Sequence, residues 1–136
     1  MKRILFDTNI ILDVLLDREP YVEASAVAWA AVETGRVEGM LAAHAVTTIH
    51  YLVSKERGAS KARRILSSIL RVFPVGAVDS TVIQEALLLP FADFEDAVTA
   101  AAARTAGCDF IVTRDTKGFR QSPVPAVTPE ALAPLI

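Results

Sequence analysis

The sequence predicts a three-layer α/β/α sandwich around a central, mostly parallel sheet, in one domain spanning residues 1–136. Three observations predict it. Short apolar runs alternate with longer stretches of helical periodicity, the pattern left by crossover connections between parallel strands. The clearest run, Phe110-Ile111-Val112, is apolar throughout, as a strand covered on both faces must be. No Gly- or Ser-rich linker divides the chain and no internal repeat is present. A chain near this length buries roughly two-thirds of its unfolded surface, enough for one core.

The elements follow in order. Arg3 to Phe6 reads as a short buried strand, with Asp7 directly after it. Asn9 to Leu16 places Ile10, Ile11, Val14 and Leu15 on one helical face and leaves Asp13 and Asp17 off it. Pro20 breaks that helix. A second, alanine-rich helix covers Val22 to Thr34, and Gly35 is its stop. Gly39 to Ala43 is the second strand, and Thr47 to Lys55 a helix punctuated by Gly58. Ser60 caps a further helix to Leu70, with Ile65, Leu66, Ile69 and Leu70 as its apolar positions. Val72 to Val75 is the third strand, interrupted by Pro74. Asp79 caps a helix through Leu89, which Pro90 ends. Asp93 opens another, Phe94 to Ala106, closed by Gly107. A short Ala126-Val127 strand follows the 110–112 run. Thr128-Pro129-Glu130 then opens a last helix with a cap residue and Pro at its first position.

Composition excludes several classes. Apolar residues make up 52% and charged residues 22% of the chain, which excludes disorder. No stretch approaches the roughly 18 apolar residues of a membrane span, and Ile4-Leu5-Phe6 is too short a run for a signal peptide. Cys108 has no partner in the chain, which fits a reducing compartment, so a cytoplasmic location is the expectation. The net charge of −2 does not announce a nucleic-acid binder, but charge distribution matters more than the sum. Lys55, Arg57, Lys61, Arg63, Arg64 and Arg71 are opposed only by Glu56, whereas Asp93, Glu95 and Asp96 crowd together. A basic arm beside an acidic pocket suits a polyanionic substrate and a bound cation.

In open α/β sheets ligands bind beyond the carboxyl ends of the strands. Asp7 sits there, and Asp115 follows the 110–112 strand after Thr113 and Arg114. Asp93 and Asp96 open a helix at a loop-to-helix corner. Each acid alone has a plain structural role: Asp7 as a cap, Asp93 and Asp96 as a capping pair, Asp115 in a turn. Together, such caps would have to fall by chance where a ligand site is expected. Carboxylates held within a few ångströms repel unless protons or a cation neutralise them. Hard divalent cations take oxygen ligands and serve phosphoryl chemistry by polarising a phosphodiester and acidifying water. No Walker loop, Cys-x-x-Cys pair or Gly-x-Ser-x-Gly elbow is present. His44 and His50 lack metal-spaced partners, so both are assigned structural or surface roles. A phosphatase of the haloacid dehalogenase type would need a second Asp where Asn9 stands.

Ile4-Leu5-Phe6-Asp7-Thr8-Asn9, Asp93-Phe94-Glu95-Asp96-Ala97 and Ile111-Val112-Thr113-Arg114-Asp115 resemble, in order and spacing, the three signature segments of a PIN domain. The similarity runs over essentially the whole chain, and is greatest to stand-alone bacterial PIN proteins similar to VapC toxins of type II toxin–antitoxin pairs. The resemblance implies a PIN-like fold and a Mg²⁺- or Mn²⁺-dependent ribonuclease, usually a homodimer, held inactive by a cognate antitoxin. It implies that Asp7, Asp96 and Asp115 hold the metal or orient its water. Thr8, Asn9 and Thr113 would support them by hydrogen bonds, with Asp93 as a supplementary acid. Apart from the resemblance, the Lys55–Arg71 stretch, with Arg114, Lys117 and Arg120, is expected either to hold the RNA backbone or to form solvated helix faces. There is one departure. The family usually supplies another acid from the helix after the second strand, and here its position falls near Thr48, with no Asp or Glu between Glu38 and Glu56. The loss points to one metal rather than two. The alternative reading is a catalytically weakened PIN-like module that binds RNA or a protein partner without turnover.

Overall fold

Alternation along the strands divides the core in two. The computed structural model describes residues 1–136. Five parallel strands, β1 (Arg3–Phe6), β2 (Glu38–Ala42), β3 (Val75–Gly76), β4 (Phe110–Val112) and β5 (Ala126–Val127), form one sheet in the order β3-β2-β1-β4-β5. Ile4, Phe6, Leu41 and Val112 face one core; Leu5, Ala42 and Ile111 face the other. This is the two-residue period of a strand buried on both sides.

The first core is covered by α1 (Thr8–Leu15), α2 (Val22–Glu33), α3 (Ala43–Arg57), α4 (Ala59–Ile69) and the short α7 (Pro129–Leu132). The second is covered by α5 (Ser80–Leu88) and α6 (Phe94–Thr105). The chain steps outward from β1 to β3, then returns past β1 to β4. Right-handed crossovers therefore place the helices before and after that reversal on opposite faces. The reversal also leaves a crevice at the carboxyl ends of β1 and β4, the switch point where α/β sheets bind ligands. Phe6 pairs with Val112, and the Asp7 N–H donates to the Val112 carbonyl at 3.0 Å, so the ladder delivers Asp7 beside Thr113.

Most elements lie where the sequence places them, and three local differences have physical causes. α3 begins at Ala43, straight off β2, rather than at Thr47; Ala42 precedes it without any side-chain cap, so no polar residue marks the start. Ser60 caps nothing. Gly58, at φ 89°, ends α3 and begins α4 at once, which puts Ser60 inside the first turn. The third strand is Val75–Gly76 rather than Val72 to Val75. Pro74 has no N–H to give the ladder but its carbonyl accepts from Leu41 N at 3.0 Å. The predicted caps Asp79, Asp93 and Thr128 do accept N–H bonds, from Val82 (3.0 Å), Asp96 (3.2 Å) and Ala131 (3.2 Å).

Two packing features set distances in the core. Phe73, fully buried, meets the rings of Phe6 and Trp29 edge-on at 5.0 and 5.2 Å. Gly39 makes room for it, since a β-carbon there would lie 2.7 Å from the Phe73 ring and from Val32. On the other side, α6 presents Ala97, Ala100, Ala101, Ala102 and Ala103, each at most 1% exposed, between the sheet residues Leu5 and Ile111 and the α5 residues Val82 and Ala86. Side chains this small let the helix lie close to the strands. No helix is long and apolar enough to cross a membrane.

Phe73→Ala removes an aromatic that fills the first core and should cost about 3–5 kcal/mol. Urea unfolding should show a lower midpoint at unchanged slope.

Candidate active site

The site grows from Asp7. As the extended residue before α1, it accepts the Thr8 N–H on Oδ1 at 2.8 Å, which is the capping role expected of it. Its other oxygen does more. Oδ2 accepts the Thr113 hydroxyl at 2.8 Å and the Asn9 amide at 3.4 Å. Thr113, fully buried at the end of β4, also accepts the Asp115 N–H on Oγ1 at 3.2 Å. Asn9 accepts the Arg114 N–H at 3.4 Å. The segments after β1 and β4 are therefore laced together. Of the predicted supporting residues, Asn9 and Thr113 act through their side chains and Thr8 through its backbone.

Asp96 and Asp115 meet across a glycine. Thr116–Phe119 forms a 3₁₀ turn that the sequence did not announce. Within it, the point where a β-carbon of Gly118 would sit lies 3.1 Å from Asp96 Oδ2 and 3.2 Å from Asp115 Oδ2. Only a hydrogen fits there without pushing the acids. Asp115 makes no capping bond to the turn it precedes, so its predicted turn role is not what its carboxylate does. Asp93 behaves as a cap, through Oδ1 to the Asp96 N–H.

The sequence model of the PIN domain matches residues 3–117, a stretch that contains Asp7, Asp96, Asp115 and the residues bonded to them. The chain belongs to the PIN domain family. It is similar to Ribonuclease VapC1 of Aquifex aeolicus, at 23% identity over 95% of this chain and 92% of the relative. Among solved structures it resembles FitAcB from Neisseria gonorrhoeae, with a TM-score of 0.71 and 24% identity, covering 93% of this chain and 98% of that one. A toxin–antitoxin complex from Klebsiella pneumoniae superposes equally well, with a TM-score of 0.71 at 22% identity over 93% and 97% of the two chains. These likenesses share the PIN fold over nearly the whole length.

Electrostatics in this PIN domain is dominated by its own acids. Burial raises the Asp7 carboxyl, opposed by the Thr113 and Thr8 hydrogen bonds; Glu95 raises it further and His44 lowers it. Asp96 is pushed up to about 7, first by burial and then by repulsion from Asp7, Asp93, Asp115 and Glu95. Two residues therefore join the site that sequence reasoning gave no place in it. Glu95 was visible only as part of an acidic crowd. His44 was assigned a structural or surface role; it stands in the first turn of α3, just past the carboxyl end of β2, where the same strand-end rule that found Asp7 applies. Its Nε2 lies 3.1 Å from Thr99 Oγ1, and Thr99 donates to the Glu95 carbonyl at 3.1 Å. Thr48 lies one turn further along α3, half-buried.

As the side chains stand, no three acidic, histidine or cysteine groups enclose an ion. The donor set still suits a hard cation. Mg²⁺ takes one or two carboxylates and keeps several waters, so it needs no closed cage. Burial and the neighbouring acids push Asp96 up to about 7, and a cation bound there would offset both.

The basic residues of the expected arm, Lys55, Arg57, Lys61, Arg63, Arg64 and Arg71, are all exposed. Arg63 lines a small groove with Thr47 and His50, while Lys61 and Arg64 line another with Trp29 and Glu33. Arg114 is not a free phosphate contact: its Nε is 2.9 Å from Asp13 Oδ2 and its guanidinium lies 3.9 Å over the Tyr21 ring. Asp13, placed off the apolar face by the helical pattern, is completely buried together with Leu12.

Between about pH 4 and about pH 7 native Asp96 keeps a proton that the unfolded chain has released. Its contribution to stability is therefore full below that window and is lost as pH rises through it. In chelator, the melting temperature should fall across the window, and Asp96→Asn should flatten the fall and melt higher at about pH 8. Superimposable curves for the two proteins would show that burial and the neighbouring acids do not raise Asp96 as described.

Proposed function

We propose that this PIN domain is a Mg²⁺- or Mn²⁺-dependent ribonuclease, the toxin of a toxin–antitoxin pair, acting as a cytoplasmic homodimer. One observation carries the reading. Carboxylates from the ends of β1 and β4 and the start of α6 converge at the switch point of the sheet, and their repulsion needs a cation or a proton. The name of the Aquifex relative supports ribonuclease activity, and the Klebsiella complex supports an antitoxin partner.

Asp7 and Asp96 would hold the ion, with Asp115 binding directly or through water. A bound Mg²⁺ or Mn²⁺ supplies Lewis acidity to a phosphodiester and makes water a competent nucleophile near neutral pH. The chain's own residues do the rest. Thr113 and Asn9 lock the Asp7 carboxylate, so it need not reorganise when charge develops nearby. Gly118 keeps the space between Asp96 and Asp115 clear. Lys117 and Arg120, both exposed and close to Gly118 in the chain, would neutralise substrate phosphates. The uncharged Thr48, where the family carries an acid, is what favours the second reading, a domain that binds RNA without turnover.

Total RNA should be cut only with Mg²⁺ or Mn²⁺ present, and Asp7→Asn and Asp96→Asn should each lose about 10²-fold or more. The ions should raise the melting temperature of the wild type but not of either variant, since only a ligated native state gains stability. Equal cutting by wild type and variants would identify a contaminant. Ion-independent RNA binding without cutting would establish the second reading.

Lys117→Ala and Arg120→Ala should each reduce the slope of log affinity for single-stranded RNA against log salt by about 0.7. An unchanged slope removes that residue as a phosphate contact.

A further inference from the structure

We infer that Asp13 and Arg114 form a clasp whose task is to position the Thr113–Asp115 loop. The chain has few buried polar side chains, and Asp13 is the only buried one that carries a charge. Arg114 is its sole ionic partner; Ser25 adds a hydroxyl bond at 3.1 Å, and Oδ1 has no partner at all. Such a pair is a poor stabilising device, because apolar residues of similar volume serve a core as well or better. Its geometry says what else it does.

Asn9 and Asp13 are four residues apart on α1 and so share a face. Both reach Arg114: Asn9 Oδ1 takes its backbone N–H at 3.4 Å, and Asp13 takes its side chain at 2.9 Å. The guanidinium is sandwiched further by the Tyr21 ring. Arg114 is thus held at backbone and side chain by the helix that Asp7 caps. Its two neighbours are the residues that matter. Thr113 donates to Asp7, and Asp115 donates its N–H to Thr113. Fixing Arg114 fixes both, and with them the separation of Asp115 from Asp96 across Gly118. The catalytic consequence rests on the ribonuclease reading; the clasp itself does not.

Arg114→Met alone leaves Asp13 buried and unpaired, so loss of the fold would be uninformative. Asp13→Leu/Arg114→Met removes both charges at similar volume and is expected to fold. In the metal-free double variant, amide exchange at residues 113–115 should rise about tenfold while exchange in β1 and α6 stays as in wild type. kcat should fall about 10²-fold with KM for RNA unchanged, because a misplacement near 1 Å suffices for such a loss. Arg114→Lys, which leaves Asp13 a cation but forfeits the Nε–H bond and the stacking, should show the same pattern more weakly and serves if the double variant does not fold. Wild-type exchange and wild-type kcat in the folded variants overturn the inference. A raised KM at unchanged kcat also overturns it, and makes Arg114 a substrate contact. Exchange is read without metal or RNA, so it decides the clasp even if the wild type proves to cleave nothing.

Discussion

Asp7 is bound into three systems at once. Its N–H extends the β1–β4 ladder to Val112, one carboxylate oxygen begins α1, and the other receives the Thr113 hydroxyl. A side chain so constrained has almost no freedom left. Each bond also couples a different layer of the sandwich to the same two oxygens. The sheet order makes this unavoidable, because β1 is the central strand and β4 its neighbour only after the chain reverses direction. What would otherwise be an ordinary helix cap becomes the corner from which the rest of the site is measured.

Against that rigidity stands electrostatic opposition. Burial first, and then repulsion from Asp7, Asp93, Asp115 and Glu95, push the Asp96 carboxyl up to about 7. Local relief is partial: His44 lowers the Asp7 carboxyl. The nearest arginine in sequence, Arg114, is committed to Asp13 on the far side of its loop. The acids stay together because the elements that carry them are anchored in two apolar cores, so the cost is met by burial elsewhere in the molecule. A net charge of −2 conceals this, since the imbalance is confined to one edge of the sheet.

Much of the fold was legible because strands buried on both faces have few alternatives. The 3–6 and 110–112 runs were read to the residue, and Asp79, Asp93 and Thr128 capped as their chemistry dictates. The candidate acids stand at strand ends and at a helix start, places the sequence marks without any need for side-chain geometry. What escaped reading depends on tertiary partners. A helical wheel sorts Asp13 with Asp17 as solvent-facing, because the cation that permits its burial lies far along the chain in Arg114. That arginine, seen as free charge beside an acidic motif, was assigned to phosphates for the same reason. His44 fell outside the site because it has no metal-spaced partner in the sequence, and its link to the acids runs through Thr99 on another helix. The ribonuclease pattern came from resemblance, not from periodicity, and Thr48 is a departure that resemblance alone could reveal.

The alanine face of α6 has a further meaning. Asp96 rides on that helix, whereas Asp7 and Asp115 ride on the sheet, so the gap across the site is a sum of layer thicknesses. Ala97, Ala100 and Ala101 work as shims of minimum height. Any thicker filling would lift the whole axis and carry the carboxylate away from its fellows without altering a single polar group. The spacing of the acidic cluster is therefore machined into the most featureless stretch of the chain.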